Sequence, residues 1–262
     1  MIRQDAYNEP ISKLNLLKAG TSVNLVLSGG GEKGTAHVAL LEKLQDLEIK
    51  INAISATSAG SLVGCMYASG ASYQGIIDFF AETPLFKYSW LNPLNSGFFK
   101  SEKYEVYLKG HVKPKFENLS IPMHMAATNM QDGECHYFNS GLLMKPLIAS
   151  CAVPGIFSPV EINGKLYSDG GVMDNFPVFP FRNDPLPIIG SYVVAPNVIG
   201  RKGLDNPLKV TARSATLIAF SQDMHKFSDT YLTIVHQVRD FGIFDQKHGH
   251  EIYTRARNSL FK

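Results

Sequence analysis

The junction of Val23-Asn24-Leu25-Val26-Leu27 with Gly29-Gly30-Gly31-Glu32-Lys33-Gly34 constrains the fold of this chain more than any other stretch. A short apolar run with β-branched residues, stopped by glycines, reads as a strand buried on both faces. Behind the glycines, Ala36, Leu40, Leu41 and Leu44 recur at spacings that share one helical face. Residues 51–56 form a second strand candidate, which breaks at Ser58-Ala59-Gly60 and passes into a helix through about Ala68. Strand, helix and strand make a βαβ unit with an expected right-handed crossover. The implied class is α/β with a mostly parallel central sheet.

The rest of the chain extends this pattern. Residues 73–107 read as helices joined by a loop holding Pro84 and Pro93, and residues 121–142 as two strands joined at Asp132-Gly133. A helix over 143–152 tolerates Pro146 in its first turn and ends at Pro154. Val160-Glu161-Ile162 and Lys165-Leu166-Tyr167 flank Asn163-Gly164, the strongest short hairpin signal. A strand over 188–194, a helix over about 207–221, a strand over 231–235 and a helix over 250–260 complete the series, and a short helix is expected around 11–18. With 262 residues, 45% hydrophobic and 18% charged, and no repeat or long linker, the expected organisation is a polar lead-in over 1–20 and one domain over 21–262.

Composition narrows the partners. A net charge of +2, from 25 Lys+Arg against 23 Asp+Glu, gives no reason to expect nucleic acid. Cys65, Cys135 and Cys151 are widely spaced without a CxxC pair, as reduced thiols are, and neither they nor His248-Gly249-His250 form a metal motif. The N-terminus lacks the apolar stretch of a secretory signal, and no run approaches ~18 apolar residues. A cytoplasmic or peripheral membrane location is therefore expected.

The spacing Gly29-x-Gly31-x-x-Gly34 fits several chemistries. A dinucleotide site wants an acidic residue at the end of the second strand, and residues 51–60 contain no Asp or Glu. A P-loop wants Gly-Lys-Ser/Thr, whereas the order here is Lys33-Gly34-Thr35. Two readings stay open: an oxyanion hole, in which unobstructed backbone N–H groups converge at a helix N-terminus, and a tight turn that lets a helix pack closely on the sheet.

Ala56-Thr57-Ser58-Ala59-Gly60-Ser61 sits where a nucleophile elbow belongs, between a strand and a helix and flanked by small residues. Ser58 is either that nucleophile or a helix N-cap. Ser55 and Ser61 fall within the strand and the helix. A serine nucleophile needs a base. An α/β-hydrolase order of Ser, acid and His leaves only a late histidine as base, and neither His236 at the end of a late strand nor His248 and His250 carry any further catalytic signature. Asp169 is better placed: the Asn163-Gly164 hairpin delivers it to a strand end, and Gly170-Gly171 leaves the backbone open around it. It reads either as a carboxylate made basic by desolvation or as an Asx-turn residue.

Together the GGGEKG loop, the TSAGS elbow, the SCAVPGIFSP segment from Ser150 to Pro159 and the DGGVMDNFP segment from Asp169 to Pro177 resemble the patatin-like phospholipases. The motifs stand in the family's order, and the GIFDQKHGHEIYTRA region near the end is also similar. The resemblance implies a three-layer α/β/α fold and calcium-independent hydrolysis of fatty-acyl esters without a cofactor. It implies Ser58 as nucleophile, Asp169 as general base, and backbone N–H groups of Gly30, Gly31 and Lys33 as the oxyanion hole, framed by Gly29, Gly34, Gly60, Gly170 and Gly171. One departure stands out: the family's elbow opens with glycine where this chain has Ala56. A methyl group there would strain the turn or crowd the pocket.

Phospholipid or another acyl ester is the implied substrate, with peripheral membrane contact. The densest aromatic stretch, from Phe79 to Tyr104 and including Trp90, is either a cap over an acyl groove or a cover for the core. Competing functions are an acyl-carrier transferase, which would want a histidine partner, an esterase or thioesterase for soluble esters, and a lipid-binding or signalling module with an idle centre.

Overall fold

A computed structural model describes residues 11–83, 102–243 and 247–262. β1 (Ser22–Leu27) is buried from Val23 onward, including Asn24 within its otherwise apolar run. It enters a 3₁₀ turn over Gly31–Gly34 and then α1 (Thr35–Asp46). β2 (Lys50–Thr57), α2 (Ala59–Ala68) and α3 (Tyr73–Glu82) follow, then α4 (Glu102–Leu108). Next come β3 (Met123–Asn129), β4 (Glu134–Phe138), α5 (Met144–Ser150), β5 (Val160–Ile162) and β6 (Lys165–Asp169). The chain closes with β7 (Ile188–Tyr192), α6 (Pro207–Asp223), β8 (Leu232–Val235) and α7 (Gly249–Leu260). The short helix expected near 11–18 is a 3₁₀ helix over Ile11–Leu16. Asn163 and Gly164 both have positive φ, 52° and 76°, as a two-residue hairpin of the expected turn type needs.

Among the described residues the strands form one eight-stranded sheet in which hydrogen-bonded neighbours run β5-β6-β3-β2-β1-β7-β8, with β4 also on β3. β3, β2, β1, β7 and β8 are mutually parallel, while β4, β5 and β6 are antiparallel additions. The order reverses between β1 and β7. Right-handed crossovers then place α1 and α2, which move outward one way from β1, on the face opposite α6, which connects β7 to β8. α1, α2, α3 and α7 pack against one another, and Glu32 Oε1 caps the start of α7 by accepting from His248 N and Gly249 N at 2.8 Å each.

One detail of register positions the site. β4 pairs continuously with Met125 to Asn129 of β3. β2 pairs with β3 as far as Ala126, and β6 pairs from Ala127 onward. Since β4 occupies one edge along this stretch, β2 and β6 share the other and meet there end to end. Thr57 stands opposite Ala126, and Asp169 opposite Ala127. The C-terminal ends of the two strands therefore abut. Among the described residues no helix is long and apolar enough to cross a membrane.

Candidate active site

β2 ends at Thr57 and α2 begins at Ala59, so the reversal between them falls on Ser58 alone. Its backbone sits at φ 52° and ψ −120°, a region that residues with a Cβ seldom occupy. Neighbours hold it there. Ser58 N donates to Ser150 Oγ at 2.9 Å, and Ser58 O accepts from Leu62 N at 3.1 Å and from the Cys151 thiol at 3.4 Å. Thr57 Oγ1 donates to Asp174 O at 2.8 Å. At Gly60 a Cβ would lie 2.5 Å from Leu27 O, which is why the second residue after the elbow has no side chain. The Ser58 hydroxyl makes no capping bond to α2, so the N-cap reading fails. Ala56 lies inside β2 between Leu27 and Met125, with its methyl in the hydrophobic core. The strain expected at that position falls two residues later, on Ser58.

Asp169 ends β6 and is 6% exposed, beside Ser58 at 5%. Its two oxygens divide the two readings between them. Oδ1 accepts from Gly171 N at 2.7 Å, which is the Asx turn, while buried Oδ2 has no hydrogen-bond partner among the described residues. Burial pushes the Asp169 carboxyl up to about 6, and the Ser58 hydroxyl and the Gly171 N–H each offset part of that rise. The hydroxyl is thus close enough to act on the carboxyl without being joined to it by a formed hydrogen bond.

The glycine loop lies against the same spot. A Cβ on Gly29 would stand 3.2 Å from Ser58 Cβ and 2.4 Å from Asn175 Oδ1. Gly31 adopts φ +57°, and a Cβ there would meet Ile243 O at 2.1 Å. Gly29 N donates to Asn175 O at 3.1 Å and Glu32 N to Ile243 O at 3.0 Å. Between these anchors, the N–H groups of Gly30 and Gly31 have no hydrogen-bond partner among the described residues. The third expected donor is corrected by the structure. Lys33 N–H is turned into the 3₁₀ helix and donates to Gly30 O at 3.2 Å, because that tighter turn bonds each amide to the carbonyl three residues back.

Among the described residues, no histidine bonds to Ser58. Among the described residues, serine and histidine side chains bond to each other at buried Ser191, whose Oγ lies 2.7 Å from His37 Nδ1 and 2.9 Å from His236 Nε2. His248 is bonded to Glu251 at the start of α7, and His250 is paired with Asp78 on the surface. No three His, Cys, Asp or Glu side chains among the described residues gather as a metal site would require.

Residue-by-residue reading missed several supports of the site. Asp174 accepts from Tyr137 OH and from Lys226 Nζ, both at 2.6 Å, and Asp223 accepts from Lys226 at 2.8 Å, Tyr192 OH at 3.0 Å and Asn175 Nδ2 at 3.2 Å. Burial pulls the Lys226 ammonium down, but its two carboxylate partners outweigh that and its pKa is raised. This charged cluster anchors Asn175, which lies between Gly29 and Gly171. Asp174, Asn175 and Ser150 all lie in the quoted DGGVMDNFP and SCAVPGIFSP segments, so a signal existed, but not one that assigns roles. The aromatic residues Phe86, Tyr88, Trp90, Phe98 and Phe99 lie outside the described residues.

Comparison with known proteins fits this arrangement. The family model for patatin-like phospholipases matches residues 25–182. Lysophospholipase NTE1 of Cryptococcus neoformans is 28% identical over 200 residues, covering 70% of this chain and 12% of that protein. An uncharacterized NTE family protein of Mycobacterium tuberculosis is 32% identical over 166 residues, covering 60% of this chain and 45% of its own length. The chain thus spans only a part of each of these relatives. VipD from Legionella pneumophila superposes with a TM-score of 0.58 over 93% of this chain and 67% of its own, at 13% identity, a likeness of fold alone.

Proposed function

The chain belongs to the patatin-like phospholipase family, and from that premise we propose that it is a serine lipid acyl hydrolase working through Ser58 and Asp169. One observation carries the reading: a strained, uncapped Ser58 hydroxyl lies beside a carboxyl with an unpartnered oxygen and a loop with two unpartnered N–H groups. Unsatisfied buried polar atoms are costly, and three of them in the carboxyl and the loop beside one serine suit a site completed by substrate.

In the proposed reaction Ser58 Oγ attacks the ester carbonyl carbon while Asp169 Oδ2 takes its proton. The carbonyl oxygen, now negative, accepts from Gly30 and Gly31 N–H. Collapse breaks the C–O bond, and the alcohol or lysolipid leaves with the proton held by Asp169. Water then gives its proton to the same carboxylate and attacks the acyl-serine, releasing fatty acid and restoring the hydroxyl. No step calls for a metal ion, so chelation is expected to leave the rate unchanged.

Lysophospholipid is the first substrate to try, since the NTE1 relative is named for hydrolysing it. The test is incubation with mixed phospholipids, lysophospholipids and short-chain esters, with products identified by mass spectrometry. Fatty acid released from a lipid supports the proposal. Acid released only from short-chain esters moves the chain to the soluble esterases, and no acid from any of them overturns the reading.

The carboxyl carries a pH prediction. Asp169 acts as a base only when ionised, and its pKa is raised to about 6. The ratio kcat/KM should therefore climb between about pH 5 and 7 and level off above. A profile flat across that window would remove Asp169 as the base.

A further inference from the structure

We propose that His37 is a positioning residue for the glycine loop: its ring, oriented by Ser191 and His236, clamps the Ser28 carbonyl and so aims the N–H groups of Gly30 and Gly31 at Ser58. The inference rests on the reading of that loop as the oxyanion hole.

Ser28 links the end of β1 to Gly29, and every polar group it has is engaged. Its N–H donates to Ser191 O at 3.1 Å, its Oγ accepts from Val193 N at 3.1 Å, and its carbonyl faces His37 Nε2 at 2.9 Å. The next amide, Gly29 N–H, donates to Asn175 O. The peptide unit joining Ser28 to Gly29 is thus held at both ends, by His37 on its carbonyl and by Asn175 on its N–H. The following amide, that of Gly30, is the first unpartnered one. Glycines with no Cβ have little conformational preference of their own, so the plane from which they depart decides where their amides point.

The direction of the chain follows from donor and acceptor rules. A carbonyl only accepts, so His37 Nε2 carries the proton and, in a neutral ring, Nδ1 is bare. Ser191 Oγ–H then donates to His37 Nδ1 at 2.7 Å, and Ser191 Oγ accepts from His236 Nε2–H at 2.9 Å. One orientation runs without a break from His236 through Ser191 and His37 to Ser28 O. Both rings are buried, and burial holds them neutral, His37 lowered to about 4 and His236 to about 3.

His37→Phe removes the donor and fills most of the space. His37→Gln places an amide N–H where Nε2–H stood and should rescue. Ser191→Ala frees the ring to turn while changing only one small side chain. Two readouts are compared in the folded variants: lysophospholipid kinetics, and hydrogen exchange of the Gly29 and Glu32 amides that anchor the loop. For His37→Phe and Ser191→Ala, kcat should fall about 10- to 100-fold at nearly unchanged KM, the two amides should exchange at least tenfold faster, and His37→Gln should recover most of both. Wild-type exchange and kcat in folded His37→Phe or Ser191→Ala overturns the clamp. A wild-type protein that hydrolyses no lipid defeats the functional reading instead, and the exchange comparison still decides whether His37 holds the loop.

Discussion

Ser58→Ala is expected to give a folded protein that releases no fatty acid and takes no label from a fluorophosphonate probe. The loss should be at least about 10³-fold, because substrate binding and the loop donors alone cannot replace a missing nucleophile. Stability should stay within about 1 kcal/mol of wild type, since the hydroxyl caps nothing and the backbone bonds of Ser58 to Ser150, Leu62 and Cys151 survive the change. Ser58→Gly should be equally inactive and more stable by about 1 kcal/mol, because glycine accepts positive φ without a clash. Hydrolysis and labelling need to be measured alongside thermal unfolding. Full turnover in a folded Ser58→Ala protein would place the chemistry on another residue.

Asp169→Asn is expected to abolish hydrolysis and, at the same time, to stabilise the fold. The Asp169 carboxyl has a pKa of about 6 when folded against an ordinary value of 3.8. The folded state therefore binds its proton more tightly than the unfolded chain, and stability falls as pH rises from 3.8 through about 6. The shift corresponds to roughly 3 kcal/mol of destabilisation once the group is ionised. Asparagine carries no charge and keeps an oxygen for the Gly171 N–H now bonded to Oδ1. Near pH 8 the variant should melt about 5 to 10 °C above wild type, and below about pH 4 the gap should close. A variant less stable than wild type at pH 8, or a gap that ignores pH, would show that the buried carboxylate is not the stored cost.

Much of this protein was legible residue by residue. Val23 to Leu27 read as a buried strand, which it is, and Asn163-Gly164 as a hairpin turn, where both residues take positive φ. Ser58 was marked by the small residues around it, and Asp169 by the hairpin that carries it to a strand end. These signals are local: each depends on what a few consecutive residues can do with φ, ψ and hydrophobic period. Lys33 marks their limit. Its place in the glycine motif suggested a third donor, but whether an amide points into a site or back into a 3₁₀ turn depends on the packing of the loop against Ile243 and Val193. Ala56 shows the same limit from the other side, since a methyl that looked obstructive is absorbed by the core.

By itself the sequence determined the strand–loop–helix units, the elbow and the hairpin, because backbone sterics and periodicity act over a handful of neighbours. Only the tertiary structure decided that β2 and β6 meet end to end on one edge of β3, which brings together positions 58 and 169, 111 apart in the sequence (169 − 58). It also decided that His37, Ser191 and His236 join in one chain beneath the loop. Strand register and buried hydrogen bonds are settled by competition among distant partners, and no local stretch of sequence contains both sides of that contest.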